Sequence, residues 1–259
     1  MKRKLKKKKF LKNELLFSSL LVLIILGIVS YLFVFSEFFQ IKKIIIRNEK
    51  ERFQDKIQGL IEGKIEKKLL FFKTKSIFLL NFNEIKDVLL KEIPQIEKVD
   101  LKRKFPSDLE VKIKKRTPVA IFIFSFQGRE KYFSLDKEGI VFNSFSKKRD
   151  KMLKIKNHNL SLKVKLGDKV IEEETLGQIL VLKNQIKKNF KISLTEGILV
   201  SEQRLNFKTR EGWEIYFNLK NDINLALIKL DLILKKIISP EERKNLQYID
   251  LRYSRAYYK

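Results

Sequence analysis

Between Glu14 and Glu37 the chain runs twenty-two residues, Leu15 to Ser36, without one charged side chain, and eight of its first twelve residues are Lys or Arg. A bilayer core about 30 Å thick is crossed by roughly 20 helical residues, and a helix satisfies its own backbone hydrogen bonds in lipid. The run therefore predicts one membrane-crossing helix over residues 15–36, behind a basic tail at 1–14. A secretory signal peptide would have a shorter apolar region, about 7 to 15 residues, ending in small residues at a cleavage site. Here Phe33, Val34, Phe35, Phe38 and Phe39 occupy the exit, so an uncleaved anchor is expected. Lys2, Arg3, Lys4, Lys6 to Lys9 and Lys12 then stay cytoplasmic by the positive-inside rule, and everything after Glu37 lies outside.

The chain beyond the anchor is long enough for two small domains with real cores. No cysteine occurs, which removes disulfides, thiolate metal sites and cysteine nucleophiles from consideration. The net charge of +26 invites a nucleic-acid reading. Without the eight cations of the first twelve residues, the remainder is still +18. Yet these Lys residues are spread along the chain and interleaved with acids, as in Glu62 to Lys68, and no recognition-helix or RNA-binding signature accompanies them. No specific nucleic-acid partner is expected; general attraction to an anionic membrane surface or wall polymer fits better.

Past the anchor, Ile41, Ile44, Ile45 and Ile46 mark a β-branched strand that Asn48 closes. Phe53, Ile57, Leu60 and Ile61 recur at helical spacing. A second helix is expected from an N-cap at Asn83, through Ile85, Val88 and Leu89, to a stop at Pro94. Two strands come next, Ile96 to Lys104 and Leu109 to Lys115, giving the order β-α-α-β-β. Tyr132 to Phe142 reads as a hairpin whose polar turn closes on Gly139. Leu176 to Phe190 reads as an amphipathic helix, with Glu172, Glu173 and Glu174 suited to its N-terminus. Strands are expected at Gly197 to Lys208 and Trp213 to Leu219, around a turn at Glu211-Gly212. Trp213, Ile215 and Phe217 should face the core. The Leu and Ile residues of 225 to 237 make a further amphipathic helix with its apolar face in the core, ending before Pro240. The Lys, Ser and Asn-rich join at 143–165 gives no firm pattern.

Three segments carry a family resemblance. Ile93-Pro94 through Arg103-Lys104-Phe105-Pro106, then Leu109-Glu110-Val111-Lys112-Ile113, then Arg116-Thr117-Pro118-Val119-Ala120 succeed one another in the order of a POTRA domain of the FtsQ/DivIB type, which this region resembles. That pattern consists of a helix-ending Pro, an Arg-x-aromatic-Pro turn, an alternating strand and an Arg-x-Pro-Val-Ala exit. Each part also has a plain structural role: Pro106 fixes a turn, Phe105 is expected to pack beneath it, and Pro118 marks the domain exit. Asp136-Lys137-Glu138-Gly139 resembles the hairpin that opens the family's β-rich second domain, and Ile249-Asp250-Leu251-Arg252-Tyr253 resembles its C-terminal strand. Departures are local: Arg47 precedes Asn48 where the family often has Gly, Lys115 replaces a common Glu, and Met152-Leu153 stands in place of a Leu-Pro step.

The resemblance implies an α+β protein: a single transmembrane helix, a POTRA domain at 37–117, and a β-rich domain with two helices at 118–259. It implies a bitopic, non-enzymatic scaffold of the bacterial divisome in the cytoplasmic membrane at the septum. FtsB/FtsL-like bitopic proteins would bind its second domain, and other divisome membrane proteins its POTRA domain. The last residues after Tyr253 suffice for one short hairpin-connected strand, whose free edge could accept a partner strand. On the family's docking region, the partner-binding residues are Arg252, Tyr253, Tyr257 and Tyr258. A POTRA-bearing component of a transport or secretion assembly is an alternative, as is a membrane-anchored wall enzyme. No catalytic, cofactor or metal residues are expected. The sole histidine, His158, sits in Lys156-Asn157-His158-Asn159 without a Cys or second His, and Gly59 to Lys64 lacks the spacing of a phosphate loop. Asn159-Leu160-Ser161 is read as a chance glycosylation sequon.

Protease added to spheroplasts should remove the domains after Glu37 and spare the basic N-terminus. Loss of an N-terminal tag with protection of the C-terminus would reverse the topology.

Overall fold

A computed structural model describes residues 3–48, 53–69, 71–126, 128–145, 152–158, 163–239 and 241–259. The sequon at Asn159, residues 146–151 and 159–162 of the 143–165 join, and Pro240 lie outside the described residues. The chain divides into two compact units, Met1–Lys115 and Arg116–Lys259.

The first unit begins with helix α1 (Arg3–Phe35), which runs through the basic segment as well as the apolar one. Its stretch Leu16–Phe35 is long and apolar enough to cross a membrane. A short 3-10 turn, Glu37–Phe39, leads to β1 (Lys43–Arg47), and Asn48 ends that strand at a φ of 65°, a conformation Asn tolerates better than most residues. Helix α2 (Gln54–Ile65) and helix α3 (Phe82–Glu92) present Ile57, Ile61, Ile65, Ile85 and Leu89 to a three-stranded sheet in the order β1-β5-β4. Strand β5 (Asp108–Lys115) pairs parallel with β1 and antiparallel with β4 (Ile96–Lys104). Leu109, Val111 and Ile113 point inward while Lys112 and Lys114 point out, the alternation expected of a strand with one buried face.

Three expectations need correction here. The N-cap of α3 is Asn81, not Asn83: Asn81 is extended, and its Oδ1 accepts the Glu84 N–H at 3.3 Å, the capping geometry for the third helical residue. Phe105 is exposed and meets the Phe78 ring at 5.4 Å, so it does not pack beneath the Pro106 turn. A two-stranded hairpin, β2 (Lys67–Leu69) and β3 (Phe72–Thr74), stands between the helices, giving β-α-β-β-α-β-β.

In the second unit, the nine strands found among the described residues form one sheet, ordered β14-β13-β12-β11-β10-β9-β6-β7-β8. Strands β6 (Ala120–Phe126), β7 (Arg129–Leu135) and β8 (Val141–Phe145) are an antiparallel meander. Strand β9 (Lys154–Asn157), from the join that gave no pattern, pairs parallel with both β6 and β10 (Leu194–Leu199). The expected strand Gly197 to Lys208 is instead a hairpin, β10 followed by β11 (Arg204–Thr209), turning at Ser201 to Gln203. Strand β12 (Glu214–Asn218) extends it, and β13 (Tyr248–Asp250) pairs with β12 in parallel.

The two parallel steps explain the layering. Both β9 to β10 and β12 to β13 are crossovers through a helix, α4 (Glu173–Phe190) and α5 (Ile223–Lys236) respectively. The antiparallel pairs between them leave β9 and β12 pointing the same way, and both crossovers step in the same direction along the sheet. Right-handed connections then place both helices on one face. That face holds the core: Trp213, Ile215, Phe217, Phe207 and Ile249 from the strands, with Leu176, Ile179 and Leu182 of α4 and Leu227, Leu230 and Ile233 of α5. Each such side chain contributes about 1.5–3 kcal/mol on full burial. Helix α5 is richer in apolar residues than its core stripe needs; Leu225, Ile228 and Leu232 are exposed, as is Ile237 just after its last turn.

Two motifs of the second unit meet in space. The Arg116 guanidinium donates to Asp136 and, at 2.6 Å, to Glu138, while Asp136 Oδ1 accepts the N–H groups of Glu138 and Ile140. Gly139 closes this turn at a φ of 80°, and a Cβ there would come 1.8 Å from the Ile171 carbonyl oxygen. Gly128 has a similar φ of 75° but open space around it. Gly139→Ala should therefore cost about 3 kcal/mol or more, and Gly128→Ala about 1 kcal/mol. Trp213, the sole tryptophan and fully buried, makes its fluorescence a specific monitor of this unit during denaturation. Equal effects of the two variants would contradict the clash.

Candidate functional site

The edge of the nine-stranded sheet is built by the last residues of the chain. Leu246 to Tyr248 bring the backbone beside β12, and Ile249 is fully buried beneath α5's side of the sheet. After Asp250 the chain bends through Arg252 to Arg255 and returns as β14 (Tyr257–Tyr258), antiparallel to β13. Tyr248 and Lys259 exchange two backbone hydrogen bonds, each 3.1 Å. Bonded and non-bonded pairs alternate along an antiparallel ladder. Ile249 and Tyr258 are consequently a non-bonded pair, and the Tyr258 N–H and C=O point away from β13 to the open side.

The structure gathers all four residues singled out in the sequence at this edge. Tyr253, Tyr257 and Tyr258 are each about half exposed, at 54, 55 and 51%. By register Tyr257 shares a face with Asp250, and Tyr258 with Ile249. Arg252 grips Asp250 with both arms of its guanidinium, Nε to Oδ1 at 2.9 Å and a terminal nitrogen to Oδ2 at 2.6 Å. The same guanidinium lies 5.5 Å from the centre of the Tyr216 ring and 5.3 Å from that of Tyr253, which meets Tyr257 edge-on at 6.1 Å. The bend is tied down from neighbouring elements: Asn221 donates to the Arg252 carbonyl at 2.9 Å, and Lys229 of α5 to the Tyr253 carbonyl at 3.0 Å.

Sequence reasoning missed the residues that continue this cluster across the uncovered face. Tyr216 of β12 stacks on Tyr248 of β13 at 5.2 Å, and Arg204 of β11 lies 5.2 Å from the centre of the Tyr216 ring while donating to Asn206. The signal was present: if Trp213, Ile215 and Phe217 face the core, Glu214, Tyr216 and Asn218 face the other way. Strand order was the part that could not be read, since β13 lies beside β12 only after the chain has crossed over through α5. The result is a rim of Arg and Tyr, residue types enriched where interfaces concentrate their binding energy.

Electrostatics hold the rim in place. Burial pushes the Asp250 carboxyl up, but the hydrogen bonds and charge of Arg252 outweigh it and keep Asp250 below the usual carboxylate range. Burial and the neighbouring Glu214 push the Tyr216 phenol up. His158, by contrast, is exposed, and its backbone N–H is fixed to the Leu199 carbonyl at 2.9 Å.

An apolar helix of membrane length, then a POTRA domain, then a β-rich domain with an open edge define an anchored protein with two small domains beyond its membrane helix. Residues 39–116 match the family described as "POTRA domain, FtsQ-type", and residues 126–252 match "Cell division protein FtsQ/DivIB, C-terminal". The chain belongs to the FtsQ/DivIB family, a family of non-enzymatic division scaffolds, and its role is in cell division. No curated protein sequence matches the chain.

The sign of the Asp250 shift makes the rim acid-sensitive. A carboxyl whose folded pKa is lowered stabilises the fold above its unfolded pKa, near 4, and that contribution is lost as pH falls through the folded value. The exchange protection of the Tyr257 and Lys259 amides, relative to an unstructured peptide at the same pH, should therefore fall below about pH 4, and Asp250→Asn should abolish that step. His158→Ala should change stability by less than about 0.5 kcal/mol and leave growth unaffected.

Proposed function

We propose that this chain is a non-enzymatic, bitopic scaffold of the divisome, with its N-terminus in the cytoplasm and both domains beyond the membrane. It acts at the septum, where it links early and late division proteins through protein contacts. FtsB/FtsL-like bitopic partners bind the second unit by adding a strand to β14, and other divisome membrane proteins use the POTRA domain. The observation that carries this reading is the C-terminal edge. An unpaired Tyr258 N–H and C=O stand beside three half-exposed tyrosines and the clamped Arg252. Backbone pairing supplies strand addition with affinity, and side-chain anchors supply its specificity. Net positive charge, still +18 without the eight cations of the first twelve residues, favours an acidic partner segment.

Replacing Tyr257 and Tyr258 together by Ala should weaken capture of an FtsB-like partner at least about tenfold, equivalent to about 1.4 kcal/mol. The Trp213 emission and thermal midpoint should remain unchanged, because neither tyrosine is in the core. Undiminished capture by the double variant would remove β14 as the docking strand.

A further inference from the structure

The first unit carries a second surface, unrelated to the C-terminal edge. Segment 72–78 is fixed to the very end of α1. The Ser76 hydroxyl donates to the Phe33 carbonyl at 2.9 Å and the Thr74 hydroxyl to the Val34 carbonyl at 2.5 Å. Gln40 donates to the Val34 and Ser36 carbonyls at 3.0 and 3.3 Å, while its side-chain oxygen accepts the Lys75 N–H at 2.6 Å. Ring contacts repeat the connection, Phe33 with Phe78 at 5.0 Å and Phe35 with Phe72 at 5.7 Å. Arg103, from the Arg-x-aromatic-Pro turn, braces the same segment by donating to the Ile77 and Leu80 carbonyls at 2.7 and 3.1 Å.

These contacts set a depth. The apolar stretch Leu16–Phe35 is 20 residues, about 30 Å of helix and the thickness of one bilayer core. Phe33 and Phe35 lie in its last turn, within about 5 Å of its end. Side chains that touch them are at the level where hydrocarbon gives way to headgroups. Phe72, 63% exposed, touches Phe35, and Phe71, 90% exposed, precedes it in the chain; Phe38 and Phe105, each 61% exposed, pack on Phe39 and Phe78, the rings that touch Phe33. Lys68, Lys73 and Lys75 are exposed on the same hairpin and its exit. Aromatic rings at the interface with lysines reaching the phosphates is the chemistry of a membrane-water boundary. In water such an apolar patch would be costly.

We infer that the β2–β3 hairpin, with Phe38 and Phe105, is seated in the headgroup layer of the same bilayer that α1 spans. The first domain is then held at a fixed height and orientation on the lipid instead of swinging on a tether. This rests on the membrane-spanning reading of α1, and continuity with that span selects lipid as the occupant.

The chain has no cysteine, so single labels can be placed in the full-length protein. Phe71→Cys and, separately, Leu26→Cys would be labelled with a nitrobenzoxadiazole dye and reconstituted in phosphatidylcholine-phosphatidylglycerol vesicles. The label at position 71 should show blue-shifted emission and be quenched severalfold more by a headgroup nitroxide lipid than by aqueous iodide. The label at position 26 should respond to a nitroxide near the acyl-chain end. Iodide quenching at 71 with lipid quenching at 26 would overturn the inference alone; iodide quenching at both would overturn the span as well. Shielding at 71 that grows with protein density in the vesicle would make the patch a contact between copies and would equally overturn it.

Discussion

The carbonyl groups of Phe33, Val34 and Ser36 are the interaction on which the first unit's arrangement depends. A helix end leaves its final carbonyls without intrahelical partners, and each one left unpaired away from water costs about 1–3 kcal/mol. Gln40, Thr74 and Ser76 supply the missing donors. Capping by Thr74 and Ser76, distant in sequence, turns a backbone requirement into a tertiary one: the helix end is complete when the domain is docked against it. Arg103 extends the chain of dependence by holding the turn that carries Phe78, so a motif in the β4–β5 region acts on the helix exit through two backbone carbonyls.

The second unit is organised differently. Two helix crossovers of the same hand put α4 and α5 on one side of a nine-stranded sheet, and the core forms there. Nothing in that packing needs the opposite face, which is free to collect Tyr216, Tyr248, Arg204 and Arg252. Closing the sheet with a two-residue strand keeps its edge short, which limits uncontrolled pairing while leaving one backbone donor and acceptor outward. The buried side thus stabilises the unit, and the open side and edge are available for recognition. Arg252 joins the two roles, since its grip on Asp250 orders the bend that delivers Tyr253 and Tyr257.

Much of this was legible in the sequence, for identifiable reasons. The α1 span, α3 with its stop before Pro94, strands β4 and β5, and the Gly139 hairpin all carry strong local signals: charge-free length, helical period, alternation, and a turn glycine. Asn81 was passed over for Asn83 because both precede the apolar run, and only backbone geometry tells which side chain can reach back to an N–H. The β2–β3 strands are three residues each and mostly Lys or Phe, too short to show a period. Strand β9 is Lys154-Ile155-Lys156-Asn157, with one core residue; its identity comes from parallel neighbours on both sides, which no local pattern encodes. Of the candidate site, Arg252 and the tyrosines after it were visible from the family's final strand, whereas Tyr216, Tyr248 and Arg204 became part of it through strand order.

The most direct measurement is two-colour imaging of dividing cells, with fluorescent labels on this protein and on the FtsB-like partner, compared between the natural chain and a Tyr257→Ala, Tyr258→Ala variant. The account predicts mid-cell bands of both labels with the natural chain, and with the variant a mid-cell band of the scaffold but no band of the partner. A partner that reaches mid-cell normally beside the variant, or a natural chain spread evenly around the membrane, would contradict it.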